Sequence, residues 1–390
     1  MTFAERLAVR GLYVPEYGQR ELGAVLPAAL AAVGAAGAIT TRDAEADRVR
    51  LGIPFAKHVV VVLLDGLGHW QLDARRGHAP FLRSIEQGIV TAGYPTTTAT
   101  SLGLFGTGQP AGQTGMMGYT VRNPATGTLA NMVSWEGAPP PAEWQPCESL
   151  LSLAAGRGLS ITTLGKARFA GSGLTQAVLS GGDFVGAESL AERIELSAKA
   201  AREPGFTYCY WGEIDAAGHK FGWASDPWVA ALEDADRELR RLAALLPPGA
   251  ELVITADHGM VDVTGAPRWD VAEHAVLREG VELIAGEPRA LHVHLTDPGT
   301  AERTAARWQD YLGEHAAVAT QQEAIATGLF GQVDEAMRVR VGDVVVAMAG
   351  RATVVDSRTQ TAQSLNLIGV HGSLTPEELQ VPLLVASGRG

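Results

Sequence analysis

The stretch His58–Leu64 reads HVVVVLL and runs directly into Asp65-Gly66-Leu67-Gly68. A near-continuous β-branched run of this length has the character of a strand buried on both faces of a parallel sheet. A half-exposed strand would instead alternate apolar and polar residues. In open α/β sheets the carboxyl ends of the strands face the ligand crevice. Asp65 therefore falls where a carboxylate serves as a hard ligand, and the adjacent glycines let the backbone turn closely around an ion. The competing reading is an Asp that caps the following helix.

Similar apolar runs recur at Ser160–Leu164, Phe206–Trp211, Glu251–Thr255 and Val381–Ala386. Between several of them the pattern changes period. Glu188–Arg202 and Pro227–Leu246 place apolar residues three and four apart with charges between, and Pro247-Pro248-Gly249 stops the second. Strands alternating with helices predict an α/β fold with a largely parallel sheet. We read residues 1–390 as one α/β domain with an N-terminal helical extension over 1–55. A small inserted cap is expected over about 265–365, where short strands (Ala290–Leu295, Val344–Met348, Thr353–Val355) flank an amphipathic helix at Ala301–Leu312. The Pro-rich segment Ala138–Pro146 reads as an exposed loop.

With 390 residues, 46% of them hydrophobic, the chain can bury a large core in a wide sheet or two lobes. A net charge of −12 argues against a nucleic-acid polymer or an anionic membrane as partner. It leaves anionic small molecules open, because a bound divalent metal dominates its local field. Cys147 and Cys209 are too few and too scattered for a disulfide framework, so a reducing, cytoplasmic setting is expected. The alternative is secretion, if the uncharged stretch Leu22–Thr41 were a signal sequence. Arg6, Arg10 and Arg20 upstream are balanced by Glu5, Glu16 and Glu21, and the stretch is rich in Ala and Gly, so it reads as a packed helix. The sequence carries no signal for oligomeric state.

Four further segments carry ligand-type side chains. Asp257-His258-Gly259 follows the apolar ELVITA; neighbouring residues of a strand point to opposite faces, so both reach one ion only where the chain bends. Asp215 and His219, in GEIDAAGH, share a face if the turn is helical, although Gly218 and Gly222 suggest a loop. His371 sits between Gly369 and Gly372, and a lone His in such a place is commonly structural. Thr96, Thr97 and Thr98 open an apolar stretch after Tyr94-Pro95. Hydroxyls at a helix start usually cap it, but a helix N-terminus also holds phosphate, and a metal can lower the pKa of a hydroxyl.

Taken in order, Asp, Thr, Asp-x-x-x-His, Asp-His and His resemble the alkaline phosphatase superfamily. The resemblance is greatest to the type I phosphodiesterase/nucleotide pyrophosphatase family, and it covers about Val59 to Val385. It implies a three-layer α/β/α sandwich and two divalent metal ions, with zinc suited to mixed carboxylate and imidazole ligands. By resemblance, one ion is held by Asp215, His219 and His371. The other is held by Asp65, Asp257 and His258 with the nucleophile hydroxyl. The family's Pro-Thr-x-Thr pattern selects Thr98 as nucleophile and metal ligand. Asp65 and one zinc would deprotonate it, and a phospho-threonine intermediate would then be hydrolysed by water activated at the other zinc. The implied activity is hydrolysis of phosphodiester or pyrophosphate bonds in small, nucleotide-type substrates. Alternatives are a phosphomonoesterase or phosphonate hydrolase using the same site, or a non-catalytic phosphoester-binding protein. The chain departs from the family where Pro-Asn-His often follows the nucleophile; it has Thr100-Ser101-Leu102. The phosphate-contacting Asn of the family falls at Tyr119, with Asn123 nearby.

Other residues read as structural. His292 and His294 alternate along a strand and share a face, but no third ligand is near in sequence. His69 could line the entrance near Asp65. Gly165-Lys166 lacks the spacing of a phosphate-binding P-loop, and no nucleophile elbow surrounds Ser172. Tyr119, Trp135, Trp211 and Trp223 are candidates for stacking on a base, or core aromatics.

Overall fold

The computed structural model describes residues 1–388. Its centre is a seven-stranded sheet in the order Glu86–Thr91, Gln380–Ser387, Ala250–Thr255, His58–Leu64, Gly205–Trp211, Ile161–Gly165, Asp183–Gly186. The last five of these strands are mutually parallel, and Gln380–Ser387 runs antiparallel to both its neighbours. His58–Leu64 lies in the middle, with Val62 in register with Cys209 on one side and Ile254 on the other. All seven of its residues are buried, which is why the run never alternates. Each such Val or Leu contributes about 1.5–3 kcal/mol relative to exposure.

Helices complete a three-layer α/β/α arrangement. Asp226–Leu245 starts at the Ser225 cap, whose hydroxyl accepts from Trp228 N, and it buries Trp228, Leu232, Ala235, Leu239 and Leu242 along one stripe. Val25–Ala32 is buried over its whole length, so the middle of the uncharged N-terminal stretch is core helix. Among the described residues, no helix is long and apolar enough to cross a membrane.

Much of the 265–365 stretch builds a second, antiparallel sheet in the order Val281–Glu287, Ala290–Leu295, Val344–Met348, Ala316–Thr320. Its two faces serve different cores. Ala290, Ala317, Ala319, Val345 and Ala347 join the main core. Leu291, Val293, Val318, Val344 and Val346 pack with Trp308 in a separate one. The two-residue period of a strand divides them.

Two local expectations are corrected. Ala138–Pro146 is not a free loop: Pro141–Trp144 forms a helical turn, and Trp144 is 1% exposed beneath the Arg340 guanidinium, 4.0 Å from its ring. An indole buries enough apolar area to pin a Pro-rich segment. Glu213–Phe221 is a helix, not a loop. Gly218 does not break it; a Cβ there would lie 2.2 Å from Met260 Sδ, so the glycine serves close packing. Gly222, at φ 86°, ends it.

Candidate active site

Three adjacent parallel strands deliver the acidic residues. Asp65 directly follows His58–Leu64, Asp257 follows Ala250–Thr255, and Asp215 lies on the helix after Gly205–Trp211. They meet at the carboxyl edge of the sheet, where the strand order leaves room for a ligand. The meeting needs Gly66, at φ 75°, because a Cβ there would fall 2.8 Å from Asp215 Cβ. Thr98 is the first residue of the helix Thr98–Thr107. His371 lies just past the short strand Gly369–Val370, which pairs with Val261–Asp262. Thr96 ties this loop down: its hydroxyl donates to Ser373 O at 2.8 Å, and its backbone N–H donates to Gly372 O at 3.0 Å. Thr97 is the helix N-cap residue, without a side-chain capping bond.

The three histidines share one device. His219 Nδ1 lies 2.7 Å from Gly369 O, His258 Nδ1 3.0 Å from Gly259 O, and His371 Nδ1 2.8 Å from Thr96 O. A carbonyl only accepts, so each Nδ1 carries the hydrogen and each Nε2 presents a lone pair. This is how proteins orient imidazole ligands toward a metal. The Nε2 atoms converge on carboxylates: His219 on Asp215 at 3.3 Å, His258 on Asp65 and Asp257 at 3.5 Å each, and His371 on Asp215 at 4.0 Å. The rings of His258 and His371 stack with centroids 3.6 Å apart.

Each carboxylate has one oxygen spoken for or exposed and one buried oxygen without a partner. Asp65 Oδ2 accepts from Tyr210 Oη, and Asp257 Oδ1 accepts from Gly66 N and His258 N, both at 3.0 Å. Asp65 Oδ1, Asp257 Oδ2 and Asp215 Oδ1 are buried and find no hydrogen-bond partner among the described residues. Burial first, then the charges of Asp257 and Asp215, holds the Asp65 carboxyl well above its ordinary pKa. Burial also raises Asp257, although His258 and the Gly66 amide pull it back. His371 is pushed well below the usual imidazole range, by burial and then by His258 and His219. Three unpaired buried oxygens facing three oriented lone pairs fit divalent cations, which would reverse these shifts.

Ligand atoms of Asp215, His219 and His371 lie within 4.8 Å of one another, the first of the two sets implied by resemblance. A second grouping within the same limit comprises Asp65, Asp215 and His258, so Asp215 stands between the two. Asp257 borders the second group through His258. Thr98 Oγ1 lies 3.3 Å from His258 Nε2, beside both.

A cavity of 320 Å³ opens over this cluster, with Asp65, Thr98, Asp215, His219 and His371 on its wall. Tyr119, 43% exposed, is on the same wall. Asn123 is elsewhere: its side chain donates to Gly137 O and accepts from Ala125 N, the bonds of a turn residue. Lys166 and Arg168 also line the cavity. The sequence offered no periodic signal for them, because they follow a strand whose neighbours were not known. Lys166 Nζ is 2.6 Å from Glu213 Oε1, so among the described residues Arg168 is the cation of the two without such a partner. Tyr210, the Asp65 partner, was also missed; it lies two residues from Tyr208 on the same strand.

The remaining candidates have structural surroundings. His292 Nδ1 accepts from Gly342 N at 3.1 Å, and burial lowers its pKa to about 4. His294, two residues on, is lowered to about 3, chiefly by burial. His69 Nδ1 is 2.9 Å from Glu86 Oε1, and Ser172 caps the helix Gly173–Val178 through Thr175 N. Trp135 donates to Pro139 O, and the Trp211 and Trp223 rings lie under Arg193 and Arg75.

Comparison with known proteins agrees with this geometry. The family model for type I phosphodiesterase / nucleotide pyrophosphatase matches residues 59–374. A search of curated protein sequences returned no match. Among solved structures, murine ectonucleotide pyrophosphatase / phosphodiesterase 5 superposes with a TM-score of 0.67 at 16% identity, covering 84% of this chain and 87% of that one. Phosphonoacetate hydrolase from Sinorhizobium meliloti 1021, in complex with phosphonoformate, gives 0.65 at 21% identity, over 85% of this chain and 90% of the other. The murine protein is also known as an inactive threonine-to-alanine variant in complex with AMP. The fold is common to all of them, and the family match spans every Asp and His of the cluster together with Thr98. The chain is a hydrolytic enzyme of the type I phosphodiesterase / nucleotide pyrophosphatase family.

Proposed function

We propose that this enzyme hydrolyses phosphodiester or pyrophosphate bonds of small, nucleotide-type substrates through a phospho-threonine intermediate on Thr98. The observation that carries the reading is the position of Thr98 Oγ1. It lies 3.3 Å from His258 Nε2, at a helix N-terminus, within a cluster whose three carboxylates each keep a buried oxygen without a partner among the described residues. Asp215, His219 and His371 would hold one divalent ion, and Asp65, Asp257 and His258 the other, with zinc favoured by the mixed ligand set. When bound, such a pair lowers the pKa of a coordinated hydroxyl or water and clamps the attacking and leaving oxygens of an in-line displacement.

The protein's own groups do the rest. The helix start at Thr98 points backbone N–H groups and the positive end of its dipole at the phosphate. Thr98 Oγ1 forms the new P–O bond, its proton passes to the site's bases, and the P–O bond to the leaving alcohol or phosphate breaks with its electron pair. Water then attacks phosphorus from the opposite side, the Thr98 Oγ1–P bond breaks, and Thr98 regains a proton. The threonine-to-alanine variant of the murine protein, described as inactive, supports the assignment by analogy. Arg168 and Lys166 favour a second reading, in which the substrate carries a further anionic group, as a phosphonocarboxylate or a monoester does. Two free cysteines, one buried and one partly buried, support a reducing compartment.

Turnover of bis(4-nitrophenyl) phosphate and 4-nitrophenyl phosphate by zinc-loaded protein tests the proposal. It expects faster release from the diester, and loss of both in Thr98→Ala. A monoester preference supports the second reading. Activity that persists in Thr98→Ala contradicts the nucleophile.

A further inference from the structure

The turn that joins Val281–Glu287 to Ala290–Leu295 in the second sheet carries two buried charged residues, Glu287 and Arg289. Hairpin turns usually run over the surface, and buried ionisable side chains are rare without a purpose. Glu287 Oε2 accepts from Tyr119 N at 2.8 Å, while its buried Oε1 finds no partner among the described residues. An apolar side chain would avoid the cost of that unpaired oxygen. The Glu287 stem also packs against the residue after His371. A Cβ on Gly372, at φ 136°, would fall 2.4 Å from Glu287 Cγ. One side chain therefore touches the two loops that bring Tyr119 and His371 to the wall of the catalytic cavity.

Arg289 forms a bidentate pair with Glu378, Nε to Oε1 at 2.6 Å and Nη2 to Oε2 at 2.7 Å, and both side chains are fully buried. The same carboxylate accepts from Ser373 N at 3.0 Å and from Thr375 Oγ1 at 2.7 Å. The Glu378 backbone carbonyl accepts from Gly259 N at 2.9 Å. Ser373 lies two residues past His371, and Gly259 one past His258. On its other side the guanidinium donates to Ala352 O and Gly350 O, both at 2.8 Å, just beyond the strand Val344–Met348. The pair thus links the second sheet to the chain that follows each of the two stacked imidazoles. A buried ion pair adds little net stability over well-packed apolar side chains, but its fork geometry fixes distance and angle.

We propose that the turn Glu287–Ala290 is a positioning element for the metal centre. Glu287 sets the loops of His371 and Tyr119, and Arg289, through Glu378, sets those of His371 and His258. The inference rests on the two-ion reading, in which His371 and His258 serve different ions, so their spacing governs the spacing of the pair. It gives the second sheet a part in the site, although among the described residues none of its four strands lines the catalytic cavity.

The test measures zinc affinity, by competition with an indicator, and the d–d absorption of the cobalt(II)-loaded full chain. Glu287→Leu should lower zinc affinity about 10–100-fold, the range for groups that orient a ligand, and change the cobalt spectrum. Arg289→Met combined with Glu378→Gln should do the same. That double variant leaves no buried charge unpaired, and the Gln still accepts from Ser373 N, so the fold is kept. Either variant carries the test where the other does not fold. Glu287→Gln keeps an acceptor for Tyr119 N and should restore the parent affinity and spectrum. Val346→Ala loosens the same sheet on the face turned to the separate core, so it should lower the melting midpoint and leave both readouts unchanged. Parent affinity and spectrum in Glu287→Leu and in the double variant would overturn the positioning role and leave the two-ion reading standing. An equal loss in Val346→Ala would overturn it too, because any loosening of the sheet would then act alike. A parent chain that binds no zinc would remove the two-ion reading, and the inference with it.

Discussion

Two groups of histidines in this chain have opposite surroundings. His219, His258 and His371 each give Nδ1–H to a backbone carbonyl and turn Nε2 toward carboxylates. His292 and His294 are as deep as His258 and deeper than His219, but among the described residues no carboxylate pairs with either, and both Nε2 atoms end in the interior without a partner. Burial alone therefore does not make a histidine a ligand. What sets the first group apart is a carbonyl that fixes the tautomer and an acid within about 4 Å of the free nitrogen, the surroundings a metal ligand needs.

The contrast can be broken by substitution. Thr98→Ala is expected to reduce turnover at least about a thousandfold while leaving the melting temperature within the scatter of the parent, because only the attacking atom is lost. Stopped-assay kinetics and a thermal melt check both halves. His371→Gln should abolish one bound ion and, with it, much of the stabilisation by zinc. For the parent that stabilisation is about 2.7 kcal/mol per ion at a free concentration of about 100 times Kd, read as the shift of the unfolding midpoint on adding EDTA. His294→Leu should leave the EDTA shift unchanged.

Tyr210→Phe lies between these extremes. Without the hydroxyl, Asp65 Oδ2 loses its hydrogen bond, and affinity for an ion should fall about 10–100-fold, as for other groups that orient a ligand. Competition with a zinc indicator measures it, and an unchanged affinity would make Tyr210 a packing residue.

The smallest effect concerns pH. His292 and His294 are held neutral, with pKa values of about 4 and 3 against an ordinary 6.5. Between those limits the unfolded chain binds more protons than the folded one, so stability rises with pH. Their contribution is complete above pH 6.5 and declines as pH falls toward 4 and 3. By pH 5 the loss is about 2 kcal/mol for each. His294→Leu should flatten the urea-derived stability profile between pH 7 and 5 by that amount, and an unchanged slope would mean that His294 titrates normally.

The sequence revealed the acids better than their companions. Asp65 and the Asp257-His258 pair were legible because each ends an apolar run that could only be a buried strand, and such runs have a known ligand-facing end. His371 was legible only through its order in a family pattern. Composition misled at Gly218, which packs against Met260 inside a helix, and at Ala138–Pro146, where one indole outweighs four prolines. The Tyr210–Asp65 bond depends on which strands are neighbours. Strand order is a long-range property, and the residues between Ile161–Gly165 and Gly205–Trp211 do not announce it.

The most direct measurement is the number of zinc ions bound per chain at saturation, by equilibrium dialysis of the parent and of a chain carrying His292→Leu and His294→Leu. Two ions in each are predicted. Fewer than one in the parent, or a loss of ions when His292 and His294 are replaced, would contradict the assignment of the site to Asp65, Asp215, His219, Asp257, His258 and His371.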